Sequence, residues 1–159
     1  MKSRKFMRVA VLTLFAVPTA LASTWYVDGV NGNDNNNCAS RQHACKTISN
    51  AISLTLPGDS IFVAPATYHE GLVIPFPLKI IGSDAKTTIV DAGGGFGQAL
   101  VIGSEPKVQV TVSRMTFRGA AGLVDSGGGI YNCFGTLTVI DSIITGNRIR
   151  GGNGILRSI

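Results

Sequence analysis

The chain is poor in charge and in strong helix formers. Charged residues make up 14% of its 159 positions and aromatic residues 7%. Beyond the first few residues no cluster of Lys and Arg could track a phosphate backbone, which excludes a nucleic-acid partner. Helical periodicity is missing after residue 57, so leucine-rich and helical repeats are disfavoured. The three cysteines, Cys38, Cys45 and Cys133, have no metal-finger spacing, and a structural zinc is not expected. The longest apolar run, Val9 to Leu21, falls short of the roughly 20 residues of a comfortable membrane span and is wrongly flanked for one. No membrane span is expected in the mature chain.

That run belongs instead to a leader. Lys2, Arg4, Lys5 and Arg8 precede it, and the small-residue site Ala20-Leu21-Ala22 closes it, which is the layout a signal peptidase reads. Residues 1–22 are predicted to be a signal peptide cleaved after Ala22, making the mature protein secreted or displayed at the cell surface. Four of the fourteen Lys and Arg lie in the leader and all nine acids beyond it, so the mature chain carries ten bases against nine acids. Its net charge is +1, and the basic pI is a targeting feature. What remains suits one domain.

That remainder is rich in Gly, Val, Ile and Thr, the composition of an all-β chain with tight turns. Residues 23–57 form an N-terminal unit. Thr24 to Asp28 reads as a strand and Gly29 to about Cys45 as a polar loop. Lys46 to Leu54 reads as a helix whose apolar stripe is Ile48, Ala51, Ile52 and Leu54, stopped by Pro57-Gly58. Such a helix needs something to cover, and the open end of a stack of strands is the natural candidate. In an oxidising compartment Cys38 and Cys45 should pair, closing a loop of about eight residues and contributing about 2.5 kcal/mol. Cys133 is left free, a small hydrophobe suited to a coil interior.

Residues 58–159 change character to short β runs punctuated by Gly, Asn and Pro. These are 60–64, 71–74, 78–81, 88–91, 99–102, 108–117, 129–132, 137–144 and 154–156. The run Val110 to Gly119 repeats as Leu137 to Gly146, an offset of 27, and Gly128-Gly129-Ile130 recurs as Asn153-Gly154-Ile155. A looser copy starts at Leu78, with Ala99-Leu100-Val101-Ile102 in place of the glycine-isoleucine strand. Periods of this length signal a solenoid, in which each coil covers an apolar face its neighbour cannot bury alone. Alternation places Val110, Val112, Leu137 and Val139 inward. Asn132 and Gly146-Asn147 are expected to take the left-handed angles of sharp corners. The predicted fold is a right-handed parallel β-helix with an N-terminal capping helix.

Particular residues also carry a resemblance. Trp25-Tyr26-Val27-Asp28-Gly29, Asn31-Gly32-Asn33-Asp34, the paired cysteines, Cys45 to Ile52 and Pro57 to Glu70 together resemble the N-terminal region of secreted bacterial pectin-lyase-like β-helix proteins. Gly127 to Asn132, Gly135 to Val139 and Ile144 to Asn147 are similar to the repeats of polymorphic outer-membrane and adhesin-like β-helix proteins. The resemblance implies fold and export. It says little about activity, because that superfamily contains lyases, hydrolases and proteins without catalysis.

No catalytic constellation is recognised. Asp84, Asp91, Glu105, Asp125 and Asp141 are scattered singly, and the three in or near the repeating coils, Asp91, Asp125 and Asp141, each adjoin a turn or a strand end. His43 and His69 read as loop residues without a nucleophile beside them. Arg148-Ile149-Arg150, a faint match to a basic tripeptide of β-helix hydrolases, reads as two cations on a solvated turn. Gly93-Gly94-Gly95-Phe96-Gly97 lacks the Lys-Ser or Lys-Thr of a phosphate loop and reads as a connector. The loop from Asp28 to Asn35 offers oxygen ligands suited to calcium, with Asp28 and Asp34 as the candidate ligands, although Asn, Asp and Gly also simply make turns.

The function expected is structural, adhesive or glycan-binding, exercised on a polysaccharide or cell-surface glycan. The alternative is a polysaccharide lyase or glycoside hydrolase whose catalytic coils lie beyond residue 159. The last residues, Ile155 to Ile159, read as the start of a new coil without a polar cap, which implies a chain truncated at its C-terminus.

Overall fold

A computed structural model describes residues 21–93, 97–103, 108–123 and 127–150. Most of the predicted leader, the glycine run around residue 95, Glu105, Asp125 and the expected strand at 154–156 lie outside the described residues.

Among the described residues every strand pairing is parallel. The first strand, β1 (Thr24–Val27), pairs with β2 (Ser60–Val63) after a detour through a 3₁₀ turn (Arg41–His43) and the helix α1 (Ile48–Leu54). The chain then runs through β3 (Ala66–Tyr68), β4 (Leu72–Ile74), β5 (Leu78–Gly82), β6 (Thr88–Asp91) and β7 (Leu100–Ile102). It continues through β8 (Gln109–Ser113), β9 (Thr116–Arg118), β10 (Ala121–Leu123), β11 (Ile130–Asn132), β12 (Thr136–Ile140), β13 (Ile143–Thr145) and β14 (Arg148–Arg150). Four sheets result, ordered β1-β2-β5-β8-β12, β13-β9-β6-β3, β11-β7-β4 and β10-β14. From β2 onward strands adjacent in sequence fall in different sheets, and the recurring order lays the strands of one circuit over those of the previous circuit.

The repeats fix the register. Val110 pairs with Leu137 and Val112 with Val139, which is the offset of 27 read from the sequence. Leu78 pairs with Val110, and Leu100 with Ile130, as the looser copy requires. Alternation does the rest: Ile61, Ile80 and Val112 stack in one buried row, and Val63, Ile74, Leu100, Ile102 and Phe117 join the same core. Val139 keeps this register but is 39% exposed, and Leu137 is half-buried, because no described strand lies over β12.

The helix begins at Ile48, the first residue of its apolar stripe, two residues later than expected. Lys46 is outside it and Thr47 is its N-cap, accepting from the amide of Asn50. Ile48, Ala51 and Ile52 are buried against β1, β2 and β4, so the helix covers the end of the stack as expected, while Leu54 is 40% exposed.

The corners differ from expectation. The runs 108–117 and 137–144 each break into two strands, because Arg114 (φ 55°) and Asp141 (φ 46°) take left-handed backbone angles at equivalent repeat positions. Gly119 (φ 72°) and Gly146 (φ 62°) form the next equivalent pair. Asn132 is not a left-handed corner but the last residue of β11, and its side-chain amide closes a turn by bonding both the amide and the carbonyl of Gly135. Asn147 bonds the Ala120 amide and the Phe117 carbonyl of the circuit beneath, tying adjacent corners together. Two further readings are corrected: Arg148-Ile149-Arg150 is strand β14, paired with β10, and Cys133 is a half-buried bend residue with the Tyr131 hydroxyl 3.7 Å from its sulfur. Three-residue strands are too short for alternation to reveal, and a bend beside the last described circuit offers no interior to fill.

Candidate functional site

The outward face of the longest sheet carries two rows of side chains. Thr24, Ser60, Lys79, Thr111 and Thr138 form one, and Tyr26, Phe62, Ile81, Ser113 and Ile140 the other. A solvent-facing strand position ordinarily takes a polar residue, so the second row is unusually apolar. The Tyr26 and Phe62 rings stack with centroids 6.1 Å apart and planes inclined by 20°. Phe62 is 36% exposed.

The Cys38–Cys45 disulfide brings a cation to this row. The cysteines are seven positions apart with Cα atoms 5.0 Å from each other, and the bridge closes the loop that carries the 3₁₀ turn. Tyr26 donates its amide to the Cys38 carbonyl and accepts from the Cys45 amide, so the bridged loop lies along β1. Arg41 consequently sits over Tyr26, its guanidinium carbon 5.8 Å from the ring centroid, within cation–π range.

Behind these residues lies a groove of about 360 Å³, lined by Tyr26, Asp28, Arg41, Phe62, Ser83 and Arg114 among others. Gly82 is required at its floor, since a Cβ there would collide with the Arg114 carbonyl. Arg114 reaches the rim from its left-handed corner. Asp141 has the same conformation one circuit on, so the backbone angle belongs to the corner and the guanidinium is the local feature. Among the described residues neither Arg41 nor Arg114 has a carboxylate within ion-pair distance; the ion pair present joins Arg118 to Asp91 at 2.8 Å.

The two predicted metal ligands are both engaged elsewhere. Asp28 accepts from the amides of Val30 and Asn31 and from the Asn31 side chain. The Asn31 amide, opposed by partial burial and aided by the other two donors, holds its carboxyl below the ordinary value. Asp34 accepts from the amides of Lys46 and Thr47 and from the Thr47 hydroxyl, fastening the loop to the entry of α1. Each carboxylate thus spends acceptor capacity on N–H donors, and the described residues include no cluster of three or more His, Cys, Asp or Glu that could hold a cation. Added calcium, or its removal with a chelator, is expected to shift the melting temperature by less than about 1 °C, measured on the oxidised protein, since only a ligand bound to the native state stabilises it. A rise of several degrees that saturates with calcium would count against this.

The histidines serve locally. His43 donates its amide to the Ser40 hydroxyl, whose oxygen is also 3.1 Å from its ring nitrogen, an N-cap of the 3₁₀ turn and not a nucleophile pair aimed at a cavity. His69 is exposed beside Glu70. Tyr68, which sequence reasoning passed over, anchors the loop after β1. Its hydroxyl accepts from the Gly29 amide and donates to the Ala64 carbonyl, and burial, with the charges of Asp28 and Glu70, pushes it up to about 12.

The molecule is thus an all-β protein of parallel sheets with a cationic, aromatic groove on one outward face, an arrangement that fits a β-helix. The chain belongs to the family DUF1565, described as "Protein of unknown function (DUF1565)", which residues 30–155 match. Among curated proteins and solved structures no significant match is found. No helix among the described residues is long and apolar enough to cross a membrane.

Proposed function

We propose that this protein is an exported, right-handed parallel β-helix of pectin-lyase-like type that binds an acidic polysaccharide or cell-surface glycan along the groove at Tyr26, Phe62, Arg41 and Arg114. The observation that carries the reading is the pairing of a stacked aromatic surface with two guanidiniums that have no carboxylate partner among the described residues. A sugar ring has an apolar C–H face that suits a flat aromatic side chain, and a uronate carboxylate suits the planar fork of arginine. A volume of about 360 Å³ lies within the roughly 300–1,000 Å³ of small-molecule sites, and the row of Ile81, Ser113 and Ile140 extends the surface along the stack for a longer chain.

Of the enzymatic alternatives, a lyase or a hydrolase, the hydrolase has less behind it in these residues. Glycoside hydrolysis requires two carboxylates flanking the bond. The groove has one, Asp28, and its oxygens already accept three hydrogen bonds.

Binding of polygalacturonate and alginate oligosaccharides, measured by affinity electrophoresis and calorimetry, tests the proposal. Arg114→Ala and Tyr26→Ala are each expected to weaken binding about tenfold, equivalent to about 1.4 kcal/mol, and a neutral dextran is expected to bind more weakly than either acidic chain. Equal retention of all three polysaccharides, or no retention, would overturn it. Depolymerisation of polygalacturonate would instead support the enzymatic alternative.

A further inference from the structure

The bond predicted to be cut during export ends at a buried carboxylate. Asp59 is 4% exposed. Its Oδ1 accepts from the Ser23 amide at 2.7 Å, and its Oδ2 from the Trp25 indole at 2.8 Å and the Leu56 amide at 2.9 Å. All three donors are neutral. Burial alone would push the carboxyl up, but the bonds from Leu56, Ser23 and Trp25 outweigh it and hold Asp59 below its ordinary value, so it is charged at neutral pH. The nearest cation on an adjoining strand is Lys79, which donates its backbone amide to the Asp59 carbonyl while its side chain is exposed. Asp59 is therefore a hydrogen-bonded carboxylate of low exposure without a cationic side chain in ion-pair contact among the described residues.

Leu21, Ala22 and Ser23 are exposed and lie outside any strand, so a protease can reach the Ala22–Ser23 bond. Ser23 is also where ladder pairing starts, its carbonyl accepting from the Ser60 amide at 2.9 Å. We propose that removal of the leader at Ala22–Ser23 turns the Ser23 nitrogen into the missing counter-charge, an ammonium ion-paired with Asp59, so that export processing completes and locks the first strand. The proposal rests on the export reading above. Water adds across the peptide bond, leaving a carboxylate on Ala22 and an amine on Ser23 that takes up a proton from solvent at neutral pH. Position matters: each residue of extended chain spans about 3.3–3.6 Å, so a cut one bond earlier or later moves the ammonium out of hydrogen-bond reach of Asp59.

The sign of the pH dependence follows. An amine whose folded pKa is raised by Asp59 stabilises the fold fully below its unfolded value of roughly 7.7–8.0, and the gain is lost as pH rises through the folded value. The Asp59 side of the pair is present above its ordinary 3.8 and lost as pH falls through its lowered folded value. The added stability thus occupies the window from about pH 4 to pH 8.

The test begins with the full-length chain exported from a host cell and the N-terminus of the released form read by mass spectrometry. Ser23 is expected there. The released form is then compared with a chain bearing one extra glycine before Ser23, in which the Ser23 nitrogen is again an amide, and with Asp59→Asn. The processed protein is expected to melt roughly 3–6 °C above the glycine-extended one at pH 7, with the gap closing above pH 10. Its amine, followed by pH-dependent acylation, should titrate above the ordinary range. Asp59→Asn should return the amine to that range, and the extended chain, with Asp59 intact, keeps the test decisive if that variant folds poorly. A start elsewhere than Ser23, or no release, overturns the processing step and the export reading together. A start at Ser23 with an ordinary amine and no gap in melting overturns the ion pair and leaves the export reading standing.

Discussion

Truncation of Phe117 to alanine is expected to cost about 3–5 kcal/mol of stability, the range for buried aromatic residues. Phe117 is the largest of the fully buried side chains. It lies in an inward row with Tyr68, Val90 and Ile144, taking Val90 on the circuit below and Ile144 on the circuit above as its register partners. In a stacked fold the strand backbones are held at the hydrogen-bonding distance of about 4.8 Å and cannot collapse into a cavity beneath them. The lost transfer energy and the unfilled space therefore both count. Denaturant unfolding of the oxidised protein should show a lower midpoint with an unchanged slope. Phe62→Ala supplies the contrast. Its ring is outward, so the variant should remain near wild-type stability while losing affinity for acidic oligosaccharides. Equal destabilisation by the two substitutions would refute the assignment of inward and outward rows.

That contrast marks what could be read from the sequence. Repetition fixed the parallel pairing and its register, because residues 27 positions apart carry the same pattern and a one-residue slip would turn every aliphatic outward. The disulfide and the covering helix were legible too, one from proximity in a polar loop and the other from a single apolar stripe. The corners were not. Arg114 is an unusual residue for left-handed angles, and the clue lay in its repeat partner Asp141, a residue type that adopts them more readily. The groove was hidden for another reason: its residues come from β1, the bridged loop, β2 and the β8–β9 corner, and only folding brings Arg41 onto Tyr26. One signal was available. Tyr26 and Phe62 each stand third in a strand, Tyr26 before the buried Val27 and Phe62 between the buried Ile61 and Val63, so two adjacent outward positions hold aromatics where polar residues are ordinary. Asp28 and Asp34 were legible as oxygen donors, but not the amides of Val30, Asn31, Lys46 and Thr47 that they accept from, because those contacts depend on how the loop folds.

The same competition for backbone amides makes Glu70 the second large effect. Helix α1 has seven residues, below the roughly 12–15 at which an isolated helix is even marginal in water, and the first amides of any helix lack partners within it. Here they are met by side chains from elsewhere. Glu70 takes the Ile48 amide on Oε1 and the Ser49 amide on Oε2, both at 2.9 Å, together with the Ser49 hydroxyl, while Thr47 takes the Asn50 amide. Ile48 is fully buried, so its amide cannot turn to water if that acceptor is removed. Glu70→Ala is expected to cost about 2–4 kcal/mol, combining lost charge-assisted bonds with an orphaned buried donor. Thr47→Ala, a single cap, should cost about 1 kcal/mol. Glu70→Gln should fall between them, since its amide group keeps one acceptor and sets an N–H against the other donor. Hydrogen exchange should locate the damage: amides of Ile48 and Ser49 lose protection first, followed by β1, whose end the helix covers, while β8 and β9 remain slow. Uniform loss of protection across all circuits would mean that Glu70 holds the whole stack and not its cap alone.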